Sequence, residues 1–279
     1  MRTRAAFGSA LILAWAGASC SSGPRPPEPG TPAFFWGAAK ETYHNGDFRK
    51  TDENLVQLLQ TDSEFTARAR PLAAVIAAGL AQGYYDMAES YEAGARANRA
   101  DPTPFRKQVS ASRGLASAAA LEFAEAMQGF LQKDQDSTVT LACEYPTGSM
   151  AEPPGILRVA KGMPMQDSEK DQLEQAMLQH GVSMTMALVV GAPDDAARML
   201  ELFKTGQATI PRATFLYGTA KAMHDLSALY DPTRLDLPNR LQMLDQAALD
   251  ALKTIPETKE TKALANRIQA SLKKTRPGT

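Results

Sequence analysis

From residue 33 onward, apolar residues recur at helical spacing along almost the whole chain. One stretch, "FFWGAAKETYHNGDFRKTDENLVQLLQ", carries this pattern on both sides of Asn45-Gly46-Asp47, which predicts two antiparallel helices joined by a tight turn. The same arrangement is predicted around Gly83, where Pro71 should interrupt or begin the first helix, and again around Gly191. The pattern therefore predicts an all-α fold.

The three glycines share a wider signature. Each is followed five residues later by a small residue, namely Thr51, Ala88 and Ala196. The spacings of 37 residues (83 − 46) and 108 residues (191 − 83) fit a period of about 36, and the turn Gly46-Asp47-Phe48 resembles that of the tetratricopeptide repeat. This resemblance implies antiparallel helix pairs stacked as a tetratricopeptide-like solenoid over residues 33–279.

The rest of the chain predicts one longer helix and then an interruption. Residues Pro102 to Lys133 read as a single helix, and one long irregular loop follows near 134–155, with loose alternation from Thr138 to Tyr145 that indicates a short strand. Helices resume near Ile156. Further breaks are expected at Gly162–Pro164, Gly191–Pro193, Gly206–Pro211, Asp231–Pro238 and Pro256.

The first residues follow the plan of a secretory signal peptide, assigned to residues 1–19. Arg2 and Arg4 precede an apolar stretch that is shorter than the about 20 residues a membrane-spanning helix needs. Cleavage before Ser19 and cleavage before Cys20 are both compatible with the small residues there. The run Gly17-Ala18-Ser19-Cys20 resembles the lipobox of bacterial lipoproteins, which implies lipidation of Cys20 and a tether over residues 20–32 rich in Pro, Ser and Gly. By the same resemblance, Ser21 implies the outer membrane.

The composition and the reactive residues of the chain give no indication of nucleic-acid binding, metal binding or catalysis. A net charge of −1 and 44% hydrophobic residues describe a globular body without a nucleic-acid surface. Cys143 could act as a nucleophile with His180 or His224 as its base, but no activating motif surrounds it, and a buried structural thiol is favoured. No motif indicates a metal, a cofactor or an enzyme. His44 is expected at a helix end, and His224-Asp225 reads as an exposed polar pair.

Two groups of residues are candidates for binding. Nine of twelve methionines lie between residues 150 and 243, and such side chains suit either an apolar pocket or an irregular core. The candidate pocket residues are Met177, Met184, Met186, Met199 and Met223. The candidate inner face of the first repeats consists of Tyr84, Tyr85, Tyr91, Arg96 and Asn98, which could equally be packing residues.

The second half also resembles the T component of TRAP transporters. The matching residues are Phe215, Leu216, Ala220, Tyr230, Leu264-Ala265-Asn266 and Ile268. The resemblance implies a lipid-anchored outer-membrane protein that faces the periplasm and binds a periplasmic partner protein, together with a small apolar or organic-acid ligand. The alternative is a lipid-anchored scaffold in an envelope complex that binds protein and no small ligand.

Overall fold

The computed structural model describes residues 26–146 and 153–275, which form ten α-helices and two short strands. The predicted signal peptide, Cys20 and the first part of the tether lie outside the described residues. The helices are α1 (Pro32–His44), α2 (Phe48–Leu59), α3 (Thr66–Ala97), α4 (Thr103–Lys133), α5 (Pro154–Ala160), α6 (Asp167–Val189), α7 (Ala196–Leu202), α8 (Arg212–Ser227), α9 (Pro238–Lys253) and α10 (Lys259–Thr275). The strands are β1 (Thr138–Leu141) and β2 (Ala208–Pro211), and a 3₁₀ turn (Ala228–Tyr230) follows α8.

The hairpin predicted around Gly46 is confirmed. Helix α1 ends at His44, Gly46 adopts a φ of +72°, which glycine tolerates without strain, and α2 begins at Phe48. The rings of Tyr43 and Phe48 meet edge to face across the turn, with centroids 5.4 Å apart. The Thr51 hydroxyl donates to the Thr42 hydroxyl at 3.1 Å, so the small residue after the glycine lies against the opposing helix as expected.

The turn predicted at Gly83 is wrong. Helix α3 runs without a break through Gly83 for 32 residues. Pro71 is also tolerated, because it lies near the start of the helix, where a missing N–H removes little of the hydrogen-bond ladder. Gly83 instead lies against α6, where a Cβ on it would come within 2.7 Å of the Met177 carbonyl oxygen. The glycine serves close packing of two helices here and not chain reversal.

Helix α3 lies at the centre of the molecule. Helix α4 packs along its length, and α2, α5, α6 and α8 all contact it as well. The all-α class is thus confirmed. In a solenoid each repeat contacts only its neighbours, whereas α3 is surrounded, and the stacked tetratricopeptide-like arrangement is not confirmed.

The irregular region after α4 contains the short strand that was expected. Strand β1 pairs antiparallel with β2, with Val139 opposite Ile210. Strand β2 lies at the predicted break Gly206–Pro211 and was not anticipated. The Arg70 guanidinium donates to both carboxylate oxygens of Asp134, at 2.8 and 2.9 Å, and so joins this region to α3.

One continuous apolar core extends from α1 to α10. The helix predicted from Pro102 to Lys133 agrees with α4 within one residue, and the remaining predicted breaks lie between the helices from α5 to α10. The residues that carried the resemblance to the T component are largely core positions. Those fully buried are Phe215, Leu216, Ala220, Tyr230, Leu264 and Ile268. Within residues 26–146 and 153–275, no helix is long and apolar enough to cross a membrane.

Candidate functional site

A close crossing of α3 and α6 determines where the candidate site lies. A Cβ on Gly79 would come within 2.5 Å of the Val182 Cα, and one on Gly181 would overlap the Gly79 carbonyl oxygen. Only glycine allows two backbones to approach so closely. The crossing holds α6 beside the first half of α3, which places Gln175 and Gln179 next to the end of α1.

A cleft of about 390 Å³ opens at this place. Its walls are the end of α1 with the turn that follows, the segment 142–146 after β1, and the Gln175–Gln179 side of α6. The residues that line it are Lys40, Tyr43, His44, Asn45, Gly46, Phe48, Leu72, Ala142, Cys143, Glu144, Tyr145, Pro146, Gln175, Gln179 and Gly206. Small-molecule sites in proteins usually measure about 300–1,000 Å³, so the cleft is at the lower end of that range.

The inner wall is formed around Tyr43. Its hydroxyl donates to the Glu144 carbonyl oxygen at 2.6 Å, which links the end of α1 to the segment after β1. The same oxygen lies 3.9 Å from the Met186 sulfur. Burial, with a smaller contribution from nearby Cys143, raises the pKa of Tyr43 well above its usual range. Tyr43 is therefore a neutral structural contact at physiological pH.

Cys143 is a buried free thiol beside Tyr43. Burial raises the pKa of this thiol to about 12, so it stays protonated near neutral pH. Neither His180 nor His224 lines the cleft. The prediction of a buried structural thiol agrees with this environment, although Cys143 follows β1 and does not lie within it.

Tyr145 lines the cleft, and its buried hydroxyl lies near the buried Ser183 hydroxyl of α6. Burial raises the pKa of Tyr145, and the interaction with Ser183 lowers it in part. The Tyr145 ring is held against Phe203, with centroids 5.9 Å apart. Tyr145 is thus a packing residue of the cleft wall.

The rim of the cleft carries charge. Lys40 forms no ion pair within the described part of the chain, and its ammonium lies 5.8 Å from the centre of the Trp36 ring. The His44 Nδ1 lies 4.0 Å from the Glu144 carboxylate, and both side chains are mostly exposed. Such an exposed pair contributes little to stability, so these groups are available to a ligand.

The five residues predicted as one binding face are not brought together. Tyr84 is buried and donates to the Glu174 carboxylate of α6 at 2.9 Å, and Tyr91 packs on Phe105 of α4. The Arg234 guanidinium lies over the Tyr85 ring, and 5.4 Å separates the guanidinium carbon from the centre of the ring. Arg96 and Asn98 are at the far end of α3: Arg96 pairs with Glu92 and Asn98 donates to the Gly162 carbonyl oxygen. Tyr84 and Tyr91 are buried and pack between helices, and a binding role for the five residues stays a prediction.

The predicted methionine pocket lies mostly within the core. Met186, Met199 and Met223 are fully buried, and Met177 is nearly so. Met186 supports the cleft from beneath through Tyr43, and Met177 lines a separate recess of about 260 Å³ next to His180. Met184 is partly exposed. This distribution fits core filling better than a pocket lined by all five.

The histidines do not form the predicted polar pair. His224 Nδ1 lies 2.8 Å from the fully buried carboxylate of Asp245, whereas Asp225 pairs with Lys221 at 2.7 Å. His44 ends α1 as expected. Across residues 26–146 and 153–275, no three His, Cys, Asp or Glu side chains are grouped so that they could hold a metal ion.

Sequence reasoning missed most of the cleft. Its residues come from three separated segments, around 40–48, 142–146 and 175–179, together with Leu72 and Gly206. The one available signal was the long irregular loop, because long loops in compact domains are often functional. Comparisons of the chain with protein-family models, with curated proteins and with solved structures find no match.

Proposed function

We propose that this chain is a non-enzymatic binding protein of the cell envelope, which holds a small organic acid with an apolar body in the cleft between α1 and α6. The observation that carries the proposal is the composition of that cleft. Its inner surface is aromatic and aliphatic, including Phe48 and Leu72, while its rim presents the side chains of Lys40, Gln175 and Gln179. Few polar groups around an apolar interior are typical of small-molecule sites.

The acidic group of the ligand is inferred from the rim. Lys40 has no ion pair within the described residues, and an ammonium beside an apolar recess favours a carboxylate. The side-chain amides of Gln175 and Gln179 supply further polar contacts on the α6 wall. A molecule with a carboxylate at one end and a hydrogen-bonding oxygen further along would contact both Lys40 and one of these amides.

Binding without catalysis is supported by the protonation states of Cys143 and Tyr43 in the cleft. The Cys143 thiol has its pKa raised to about 12, and the pKa of Tyr43 is also raised, so neither supplies a nucleophile near neutral pH. The other polar groups of the cleft, among them His44 and Glu144 on its exposed rim, are taken in this proposal as groups that recognise a ligand.

The place of this protein in the envelope rests on its leader sequence. In the proposal, Cys20 carries a lipid that anchors the chain to the outer membrane, the domain faces the periplasm, and a soluble periplasmic protein exchanges ligand with it, as the resemblance to the T component of TRAP transporters implies. The α1–α2 hairpin would be a tetratricopeptide-like unit within a chain that departs from the repeat afterwards.

A second candidate function is a protein-binding scaffold. A groove of about 420 Å³ lies between α2 and α4, with Val56, Leu59 and Ala126 along its apolar part and charged residues around it. Val56 is 42% exposed although it is large and apolar. Such a groove suits a segment of another protein, and this candidate needs no small ligand.

Native mass spectrometry of the chain purified without detergent tests the first candidate. We expect extra mass that denaturation releases as a small organic acid.

The variant Gln175→Trp should fill the cleft from its exposed wall and abolish that mass, while Gln172→Trp, on an exposed position of the same helix, should retain it. Lys40→Gln should weaken retention by about tenfold, since one charge-assisted contact is lost. A bare chain that instead captures an envelope protein through the α2–α4 groove would favour the scaffold.

A further inference from the structure

A second cavity lies at the other end of α3, where the chain turns into α4. It measures about 520 Å³ and is lined by Arg96, Arg99, Arg106 and Arg113, with Glu92 as the acidic lining residue. Ala95, Pro102 and Val109 complete its wall. Four arginines against one glutamate give this lining a formal charge of +3, in a chain whose net charge is −1.

Two of the four arginines have no carboxylate partner. Glu92 already binds Arg96 at 3.1 Å and also pairs with Arg113. Arg99 and Arg106 form no ion pair within the described residues, and both are exposed toward solvent. Bringing four like charges around one cavity is unfavourable unless anions neutralise them. Among the described residues, the carboxylates paired with this lining are those of Glu92 and Glu89, and they contact Arg96 and Arg113 but not Arg99 or Arg106.

The wall of the cavity is held in place. The Arg113 side chain is only 12% exposed and is fixed by Glu92 and by Glu89, the latter at 3.6 Å. Its Nε remains buried without a hydrogen-bond partner among the described residues. The last turn of α3 is also close-packed, because a Cβ on Gly94 would overlap the Val159 carbonyl oxygen and come within 2.7 Å of the Phe105 ring. A rigid wall lowers the entropy cost of binding.

We infer that this cavity is an anion site that binds a soluble molecule through a multivalent phosphate-type group. Guanidinium groups present paired N–H donors that match the oxygens of phosphate, and several of them around one cavity neutralise more than one negative charge. This site is distinct from the α1–α6 cleft and does not depend on the function proposed for it.

A soluble source of the phosphate is favoured over a lipid headgroup by the position of the cavity. The Trp36 and Phe65 rings stack with centroids 6.1 Å apart, so the start of α1, where the chain enters from its N-terminal segment, lies near the start of α3. Arg96 lies near the opposite end of this 32-residue helix, which at 1.5 Å per residue is about 48 Å long. The start of α1 is therefore remote from the arginines, and a lipid headgroup at the start of α1 would not reach them.

Calorimetric titration of the purified full chain with pyrophosphate, and in a second arm with inorganic phosphate, tests the inference. We expect pyrophosphate to bind more tightly than phosphate and its affinity to fall as salt rises, since the contact is electrostatic. The double variant Arg99→Gln/Arg106→Gln should lose about tenfold or more in affinity, because two charge-assisted contacts disappear. Neither arginine stabilises the fold through an ion pair in the described chain, so the variant should unfold at the same denaturant concentration.

The matched control is Arg68→Gln/Arg267→Gln, which removes two exposed arginines without ion pairs at other described positions. It changes the net charge equally and should leave the affinity within about twofold, because distant exposed charges are screened. The variant Arg99→Lys/Arg106→Lys should bind with intermediate affinity, since lysine keeps the charge but loses the paired donors.

Three outcomes would overturn the inference. The first is no binding of pyrophosphate by the unaltered chain at low salt. The second is an equal loss in the Arg99/Arg106 variant and in the control, which would mean a general charge effect. The third is binding only to vesicles that contain phosphatidylglycerol, abolished by the Arg99/Arg106 variant, with no binding of either soluble probe. That result would assign the arginines to a lipid headgroup.

Discussion

The two cavities along α3 are built from opposite kinds of chemistry. The cleft beside Leu72 has aromatic and aliphatic residues, a protonated thiol and neutral tyrosines in its wall, whereas five of the eight residues that line the cavity beside Arg96 are charged. About 36 Å of helix separates these two residues at 1.5 Å per residue. Binding in the cleft should depend on shape and on burial of apolar surface, and its affinity should be insensitive to salt. Binding at the arginines should weaken as the salt concentration rises. One helix thus supports two sites that can be perturbed independently.

The largest effect on the cleft, relative to the arginine cavity, is expected from a substitution that pushes α3 and α6 apart. The variant Gly181→Ala places a methyl group against the Gly79 carbonyl, and we expect a loss of about 3 kcal/mol in the free energy of unfolding, since neither backbone can move without disturbing the core. The cleft should lose its ligand because Gln175 and Gln179 shift. Denaturant unfolding and native mass spectrometry measure the two effects.

The control for this variant is Gly114→Ala. A Cβ on Gly114 meets no atom within 4 Å, and the position lies inside α4, so alanine should stabilise the chain by about 0.5–1 kcal/mol. In a Gly181→Ala chain that remains folded, pyrophosphate binding should persist, because the arginine cavity is formed by α3 and α4. A cost below about 1 kcal/mol for Gly181→Ala would contradict the tight crossing.

A smaller effect is expected from pH, through Asp52 in the groove between α2 and α4. Burial, then the Glu122 carboxylate that lies against it, and then Glu53, raise the pKa of Asp52 to about 8. Between about pH 4 and pH 8 the folded chain holds a proton that the unfolded chain has released, so stability should fall as pH rises through this window. For one proton the slope cannot exceed about 1.4 kcal/mol per pH unit. Arg70, Lys133 and Glu125 are the other charged residues lining the groove.

Urea unfolding at pH 5, 7 and 8.5 measures this slope. Asp52→Asn should flatten it, and Glu64→Gln, which removes an exposed carboxylate that does not line the groove, should not. Since α2 belongs to the hairpin that borders the cleft, raising the pH should weaken binding there. The arginines keep their charge over this range, whereas phosphate groups lose a proton near about pH 6, so pyrophosphate should bind more tightly and not more weakly as the pH rises. Identical slopes in the unaltered chain and in Asp52→Asn would show that Asp52 is not the group responsible.

The smallest effect is expected from Cys143→Ala. The thiol is buried and protonated, and it contributes packing but no charge, so its removal should cost about 1 kcal/mol of stability. Ligand retention in the cleft and pyrophosphate affinity should both stay within about twofold. A tenfold loss of cleft ligand in a folded Cys143→Ala chain would reopen a chemical role for the thiol.

The sequence by itself determined the helical class, the hairpin at Gly46, the length of α4 and most of the breaks. These features are local: apolar spacing defines a helix face, and Asn45-Gly46-Asp47 interrupts two such faces with residues that favour a turn. The same local reasoning failed at Gly83, because glycine serves both chain reversal and close helix packing, and only the partner helix distinguishes them. It also overlooked β2, whose four residues form a strand only where β1 offers hydrogen bonds.

The tertiary structure alone decided where the two cavities lie. The cleft combines residues from distant parts of the chain, and no periodicity in the sequence indicates that Tyr43, Cys143 and Gln179 will meet. The arginines of the second cavity are close together in the sequence, because they lie on either side of the turn between α3 and α4. Which of them form ion pairs nevertheless depends on where the packing of α3 against α4 places Glu92 and Glu89. Helix formation depends on neighbours in the chain, whereas a site depends on neighbours in space, and burial and charge pairing are settled only when the helices pack.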